Sequence, residues 1–209
     1  MSKKSDKIHE GVAPDHYDKA ISTNLLQKIW HKTRFMALSG FLEPVDGKIL
    51  DIGCHSGLCT EEIIAKTSPL EVHGIDLSVK AIEKARRRIK NGKFLVGDAE
   101  NLPYQRDFFD GVFCIEMLEH VDHPDKVLAQ IRRTLKKGKY AIVLVPTDNL
   151  LFKTIWFIWN LRHPVWKHVH VQSFKGDSLE KLSEESGFKV GKVKKFNFGM
   201  LKIVKLLKV

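Results

Sequence analysis

Cysteine is scarce in this chain of 209 residues: Cys54, Cys59 and Cys114 are the only three. They form no CxxC pair and leave an odd count, which argues against a disulfide framework and a zinc knuckle and points to a reducing compartment. Long apolar runs are also missing. The richest stretch, residues 150–161, is too short to span a bilayer, which takes about twenty residues. The first fifteen residues are polar, carry three lysines and hold no apolar run, so neither a signal peptide nor an anchor helix is expected there, and the expected location is cytoplasmic. There is no internal repeat and no low-complexity tract. Apolar residues nonetheless make up 43% of the chain, enough for a single domain with a real core.

Acidic residues run short only at one end. The formal net charge is +10, and residues 162–209 hold 11 basic against 4 acidic side chains, a surplus of 7 in the last quarter, whereas residues 51–150 balance at 15 of each. A basic terminal region can attract nucleic acid or an anionic membrane surface, and charge alone does not choose between them.

Residues 1–44 read as a helical cap, with Leu25, Leu26, Ile29 and Trp30 at helical spacing and a break over 43–47. From 45 to 146 strands and helices alternate. Strands end at Asp51, Asp76 and Asp98, and a fourth runs over 111–115. The spacing predicts a helix over 57–66, a second capped by Ser78 with Ile82, Ala85 and Ile89 on one face, and a third that starts at Pro124 and stops at Gly138. The run Arg86-Arg87-Arg88 is either a nucleic-acid patch or a solvated helix face, and the balanced charge around it favours the second. Residues 140–145 form a continuous apolar strand of the kind buried on both faces. Residues 147–175 break the pattern and read as an insert over the acceptor side. The closing unit, 176–209, holds a helix near 178–186 and two strands, 189–196 and 200–209. Such alternation gives a mostly parallel sheet with helices on both faces.

The first strand carries chemistry. In Lys48-Ile49-Leu50-Asp51-Ile52-Gly53-Cys54-His55-Ser56-Gly57 an apolar strand ends in an acid and a glycine-punctuated turn opens a helix, an arrangement that cradles a charged small molecule at the helix start. The dinucleotide fingerprint G-x-G-x-x-G is not met: the order is D-x-G-x-x-x-G, and a pyrophosphate would meet Asp51 unfavourably. S-adenosylmethionine carries a sulfonium and an amino group, so an acid near its methionine end is tolerated or useful. Asp76, at the end of the second strand, suits the ribose hydroxyls.

Taken together, these motifs resemble the class I S-adenosylmethionine-dependent methyltransferases over roughly residues 45–209. Residues 49–57 are similar to that family's first motif, 74–77 to its second-strand acid, 97–102 to its adenine-contacting segment and 109–121 to its fourth-strand motif. The resemblance implies a Rossmann-like α/β fold, a seven-stranded mostly parallel sheet with an antiparallel last strand. It implies S-adenosylmethionine as methyl donor and S-adenosylhomocysteine as product. Gly53, Cys54 and Gly57 would approach the methionine end by backbone with Asp51 nearby, Asp76 would hold the ribose, and Leu77 would pack on adenine. Asp98 and the Ala99 amide would read the adenine edge, with Ile115 at the end of the fourth strand. Tyr17 resembles the tyrosine that closes such sites from an N-terminal helix. His55 stands where many members have glycine and reads as a tolerated substitution, because histidine accepts left-handed backbone angles better than most residues.

On the acceptor side, Cys114-Ile115-Glu116-Met117-Leu118-Glu119-His120-Val121 closely resembles the corresponding segment of ubiquinone-biosynthesis O-methyltransferases. On one helical turn Glu116, Glu119 and His120 would share a face, able to supply a base for a hydroxyl acceptor or, an option not favoured, to ligate a divalent cation. The alternative is that Glu116 touches the cofactor and the other two are structural. His170, in the cluster His168-Val169-His170, is a second base candidate or a structural histidine. No N-P-P-Y-like run is present, which disfavours amino methylation of bases or glutamine. Residues 150–167, with Trp156, Phe157, Trp159 and Trp166 beside Arg162, His163 and Lys167, have an interfacial composition, and the apolar part, 150–161, reads as a lid, a peripheral membrane contact or a buried helix. The expected function is methyl transfer to oxygen on a small or lipid-like acceptor of the quinone or phenol type. The alternatives are an RNA or protein methyltransferase using the basic C-terminal region, nucleic acid being the less expected partner, and a cofactor-binding regulator without catalysis.

Overall fold

The computed structural model describes residues 25–147, 149–151, 153–154 and 171–209. Helix α1 (Leu25–Ser39) leads into β1 (Lys48–Ile52), α2 (Leu58–Thr67), β2 (Glu71–Asp76), α3 (Val79–Arg88), β3 (Lys93–Val96) and β4 (Phe109–Ile115). A 3₁₀ turn (Leu118–His120), α4 (Pro124–Thr134), β5 (Leu135–Pro146), α5 (Ser178–Glu185), β6 (Lys189–Phe196) and β7 (Leu201–Leu207) follow. The strands make one seven-stranded sheet in the order β3-β2-β1-β4-β5-β7-β6. Strands β1 to β5 run parallel, and β7 lies antiparallel to both β5 and β6. This is the mostly parallel, Rossmann-like α/β sheet with an antiparallel last strand that the alternation and the resemblance imply.

Because successive strand residues face opposite sides, a sheet covered on both faces needs two apolar sets in each central strand. All seven residues of β4 are buried. One core takes Val112 and Cys114 from β4, Ala141, Val143 and Val145 from β5, and Val204 and Leu206 from β7, and covers them with Val127, Leu128 and Ile131 of α4 and Leu179 of α5. The other takes Phe113 and Ile115, Ile142 and Leu144, and Leu201 and Ile203, under Leu38 of α1, Ile63 of α2, and Ile82 and Ala85 of α3. Helix α3 starts as its sequence dictates, with the Ser78 hydroxyl accepting from the Ala81 amide at 3.2 Å.

Three expectations are corrected. The buried stripe of α1 is His31, Arg34, Ala37 and Leu38, while Leu25 and Ile29, assigned to it by apolar spacing, are 72% and 51% exposed. Second, Gly138 does not stop α4. The helix ends at Thr134, whose hydroxyl bonds back to the Gln130 carbonyl at 2.9 Å, and the chain passes directly into β5. Phe109 pairs with Leu135 and Gly111 with Tyr140, so β5 spends five residues where β4 spends two, and Gly138 takes a left-handed φ of 75° inside that bulge. Third, the C-terminal basic excess is partly internal: Lys202 pairs with Glu180, Lys205 with Glu43 and Lys208 with Asp107. In the Arg86–88 run, Arg86 donates twice to the Phe94 carbonyl, and Arg88 pairs with Glu61. Tyr17, His168, His170 and most of the 150–167 insert lie outside the described residues.

Candidate active site

In a parallel sheet the ligand crevice opens at the carboxyl ends of the strands where the strand order reverses, here between β1 and its neighbours β2 and β4. The structure brings the predicted acids to that edge. Gly53 follows β1 with a φ of 72°, and a Cβ built there would lie 2.4 Å from the Met117 side chain, so both backbone angle and space demand glycine. The Gly53 and Cys54 amides both donate to the Ile75 carbonyl, at 2.8 and 3.2 Å, which ties the turn to β2. His55 takes a φ of 44°, the left-handed angle its side chain tolerates. Gly57 caps α2 with a φ of 79°.

Asp76 is the hub of this loop. One carboxylate oxygen accepts from the His55 amide and the other from the Ser78 amide, both at 2.9 Å. A carboxylate has about four acceptor positions, so the two amides orient the group and leave capacity for hydroxyls. Leu77, next in the chain, is half-buried. Asp98 accepts from the Glu100 amide at 2.9 Å, and Ala99 beside it is buried. Ile115 closes β4, also buried.

Two predicted residues have buried side chains, which leaves Cys54 only the backbone approach that the resemblance implies for it. Asp51 is only 2% exposed and accepts the Thr60 hydroxyl at 2.6 Å, so it fastens β1 to α2 beneath the loop. Burial pushes its carboxyl up to about 7, with the Thr60 hydrogen bond opposing and the Asp76 charge adding. Cys54 has its thiol in the core, where a Cβ on Gly74 would come within 2.9 Å of it, and burial raises its pKa further than Asp51 and Asp76 do. It is an inert thiol, not a nucleophile.

The single helical face expected for Glu116, Glu119 and His120 does not form. Glu116 has a left-handed φ of 52°, which separates it from the 3₁₀ turn that starts at Leu118. Its carboxylate makes an ion pair with Arg34 of α1. Glu119 is 2% exposed, its carbonyl accepts from the Val171 and Gln172 amides at 2.9 and 3.0 Å, and its carboxylate lies 3.8 Å from His120 Nε2. Among the described residues no group of three or more His, Cys, Asp or Glu could hold a metal ion.

Apolar spacing missed Arg34 and His31. The available signal was their position: a cation and an imidazole occupy the i and i+3 places of the stripe that α1 buries against the sheet, where an apolar residue is the default. Burial, and then the Arg34 charge, lower His31 to about 4, so it stays neutral beside the ion pair.

Against known proteins, the family described as "methyltransferase domain" matches residues 13–193. A ubiquinone biosynthesis O-methyltransferase from Thiobacillus denitrificans is 29% identical over 198 residues, covering 90% of this chain and 81% of that protein. A demethylmenaquinone methyltransferase from Thermotoga maritima is 34% identical over 123 residues, 58% of this chain, and the match spans about half of that relative, 54% of its length. A norajmaline N-methyltransferase from Rauvolfia serpentina is 36% identical over 149 residues, 66% of this chain and 50% of that protein. Among solved structures, magnesium protoporphyrin IX methyltransferase from Synechocystis with bound S-adenosylhomocysteine superposes with a TM-score of 0.75 at 15% identity over 100% of both chains. A methyltransferase from Thermotoga maritima gives 0.75 at 22% identity, covering 98% of this chain and 100% of that one. With four ordered motifs, this sheet and a domain match over most of its length, the chain belongs to the class I S-adenosylmethionine-dependent methyltransferase family.

Proposed function

We propose that this chain transfers a methyl group from S-adenosylmethionine to an oxygen of a small or lipid-like acceptor of the quinone or phenol type. The observation that carries the donor half is the edge at β1, β2 and β4, where a glycine turn, the Asp76 hub and the Arg34–Glu116 ion pair lie together. These groups suit the cofactor chemically. Asp76 keeps acceptor capacity for a ribose diol, and an amino-acid zwitterion matches the pair across the crevice, Arg34 taking its carboxylate and Glu116 its ammonium. The bound cofactor supplies an electrophilic methyl on sulfonium sulfur. The chain supplies alignment and excludes water, which is most of what the reaction asks of a protein, plus a place for the proton of a hydroxyl acceptor. His120 is suited to that proton, because the nearby Glu119 carboxylate would hold the imidazolium; His170 is the second candidate. With Glu116 engaged by Arg34, its role is on the donor side, not as the base.

The oxygen acceptor is favoured by a relative that spans nearly the whole chain, a ubiquinone biosynthesis O-methyltransferase. Transfer to an amine nitrogen is the second reading, supported by the 36% identity to the norajmaline N-methyltransferase. The RNA or protein alternative loses support as Lys202, Lys205 and Lys208 are engaged within the fold. Calorimetry with S-adenosylhomocysteine tests the donor half, and absence of binding overturns it. For the acceptor half, label from methyl-labelled cofactor is expected in the lipid or phenolic fraction of a host extract; label confined to RNA or protein overturns that reading and leaves the first intact.

A further inference from the structure

We propose that the turn between β6 and β7, together with the residues just after β5, is a docking wedge for an anionic lipid bilayer. Phe198 stands 86% exposed at the tip of this turn. It is the middle of three successive left-handed residues, Asn197, Phe198 and Gly199, with φ of 49°, 55° and 75°. A bulky residue pays for such an angle, and this ring recovers nothing by burial in its own chain. The turn is pinned to the strand beside it. The Thr147 amide donates to the Met200 carbonyl at 2.9 Å, its hydroxyl to the Gly199 carbonyl at 2.5 Å, and Asn149 Nδ2 to the Phe198 carbonyl at 3.1 Å. That linkage groups Phe198 with Leu150 and Leu151, which are 82% and 43% exposed.

One exposed apolar side chain is ordinary; three large ones pinned together at one edge mark an interaction surface. Charge identifies the occupant. Lys153, Lys194 and Lys195 are exposed around the turn, and over residues 147–154 and 189–205 a single acid, Asp148, stands against seven lysines. Glu180 and Glu43 are engaged by Lys202 and Lys205, away from these surface lysines. Apolar tips set among a surplus of lysines match a bilayer interface, the tips entering the acyl boundary and the lysines meeting anionic headgroups. Leu201 pairs with Pro146 at the end of β5, so the wedge lies at the same edge of the sheet as the crevice. A bilayer docked there would face the side from which an acceptor enters. The inference deepens the lipid-like reading of the acceptor but rests on this surface alone.

Flotation of the full chain with phosphatidylcholine vesicles, with and without phosphatidylglycerol, is the test. Flotation is expected only with the anionic vesicles. The bound fraction is expected to fall about tenfold in Phe198→Gly and in the double variant Lys194→Glu/Lys195→Glu, on the scale of one aromatic anchor or two interfacial charges. Phe198→Gly relieves the left-handed strain, so its Tm should equal or exceed that of the unsubstituted protein, with S-adenosylhomocysteine binding unchanged. No flotation with anionic vesicles overturns the proposal, as does a Phe198→Gly protein that floats normally. A fall in Tm would overturn it too, since the ring would then be packing on its own chain. Failure of the cofactor reading would appear separately, as lost calorimetric binding with flotation intact.

Discussion

The two halves of the crevice are held by contacts of very different reach. At β1 and β2 each acid is fixed by neighbours close in sequence: Asp51 by Thr60, and Asp76 by Ser78 and by His55 21 positions away. At the exit of β4 the partners are remote. Glu116 is held by Arg34, 82 positions earlier, and Gln172 reaches the Asp122 carbonyl across 50. The first half forms wherever β1, α2 and β2 form, whereas the second exists only once α1 and the segment near residue 171 have docked. Local contacts resist perturbation elsewhere; long-range ones make the β4 exit dependent on the rest of the fold.

The largest effect should come from loosening the segment near residue 171, on which the remote half depends. Lys202 on β7 has a side chain with 0% exposure, and its ammonium holds both Glu180 carboxylate oxygens at 2.6 Å and the Gly176 carbonyl. It thereby ties α5 and the end of the 171–177 segment to the sheet. Lys202→Ala leaves Glu180 without its counter-charge and should cost about 3–5 kcal/mol in urea unfolding. The control is Asp98→Ala, which removes only the local Glu100 contact and should cost about 1 kcal/mol. Equal losses would mean that the Lys202 tie holds the fold no more firmly than a single loop hydrogen bond.

Next in size is the hub of the local half. Asp76→Ala removes the acceptor for two loop amides and, on the proposed reading, for the ribose, and should weaken S-adenosylhomocysteine binding by about 1–3 kcal/mol in calorimetry. The same loss is expected for a thioadenosine lacking the amino-acid tail. Arg34→Gln sharpens the contrast: binding of S-adenosylhomocysteine should weaken by about 1.5–3 kcal/mol, the range for a charge-assisted hydrogen bond, with the tailless nucleoside unaffected. A variant that weakened both ligands alike would show that Arg34 merely supports the fold.

The same difference in reach explains what could be read beforehand. Alternating apolar runs and the acids ending them give β1, β2 and their turn, because Ser78 and the left-handed angles of Gly53 and His55 are set within a few residues, and Asp76 reaches no further than the preceding turn. The Ser78 cap and the left-handed His55 are legible for that reason. Glu116 was misplaced because a left-handed residue breaks helical spacing, and no periodicity announces one. Arg34 was missed since its partner is 82 positions away. Charge counting does not tell which C-terminal lysines are engaged: those of β7 and its flank find their acids on α1's trailing loop, α5 and the loop before β4.

The remaining prediction concerns protonation within the local half and is read as a slope against pH. Burial raises the Asp51 carboxyl to about 7, whereas in the unfolded chain it titrates near its ordinary value of about 4. The folded state therefore holds this proton more tightly, and the stability so gained is fully present below about pH 4 and is lost as pH rises from there through about 7. Asn in place of Asp51 keeps an acceptor for the Thr60 hydroxyl without the charge, so the Tm of Asp51→Asn should gain on that of the unsubstituted protein as pH rises across this interval. His31 works in the opposite sense: lowered to about 4, it costs stability as pH falls from its ordinary 6.5. That slope is common to both proteins and cancels in the difference between them. A difference in Tm constant from pH 4 to pH 8 would mean that the Asp51 carboxyl titrates as if in water, and the local half of the crevice would then be far wetter than its packing indicates.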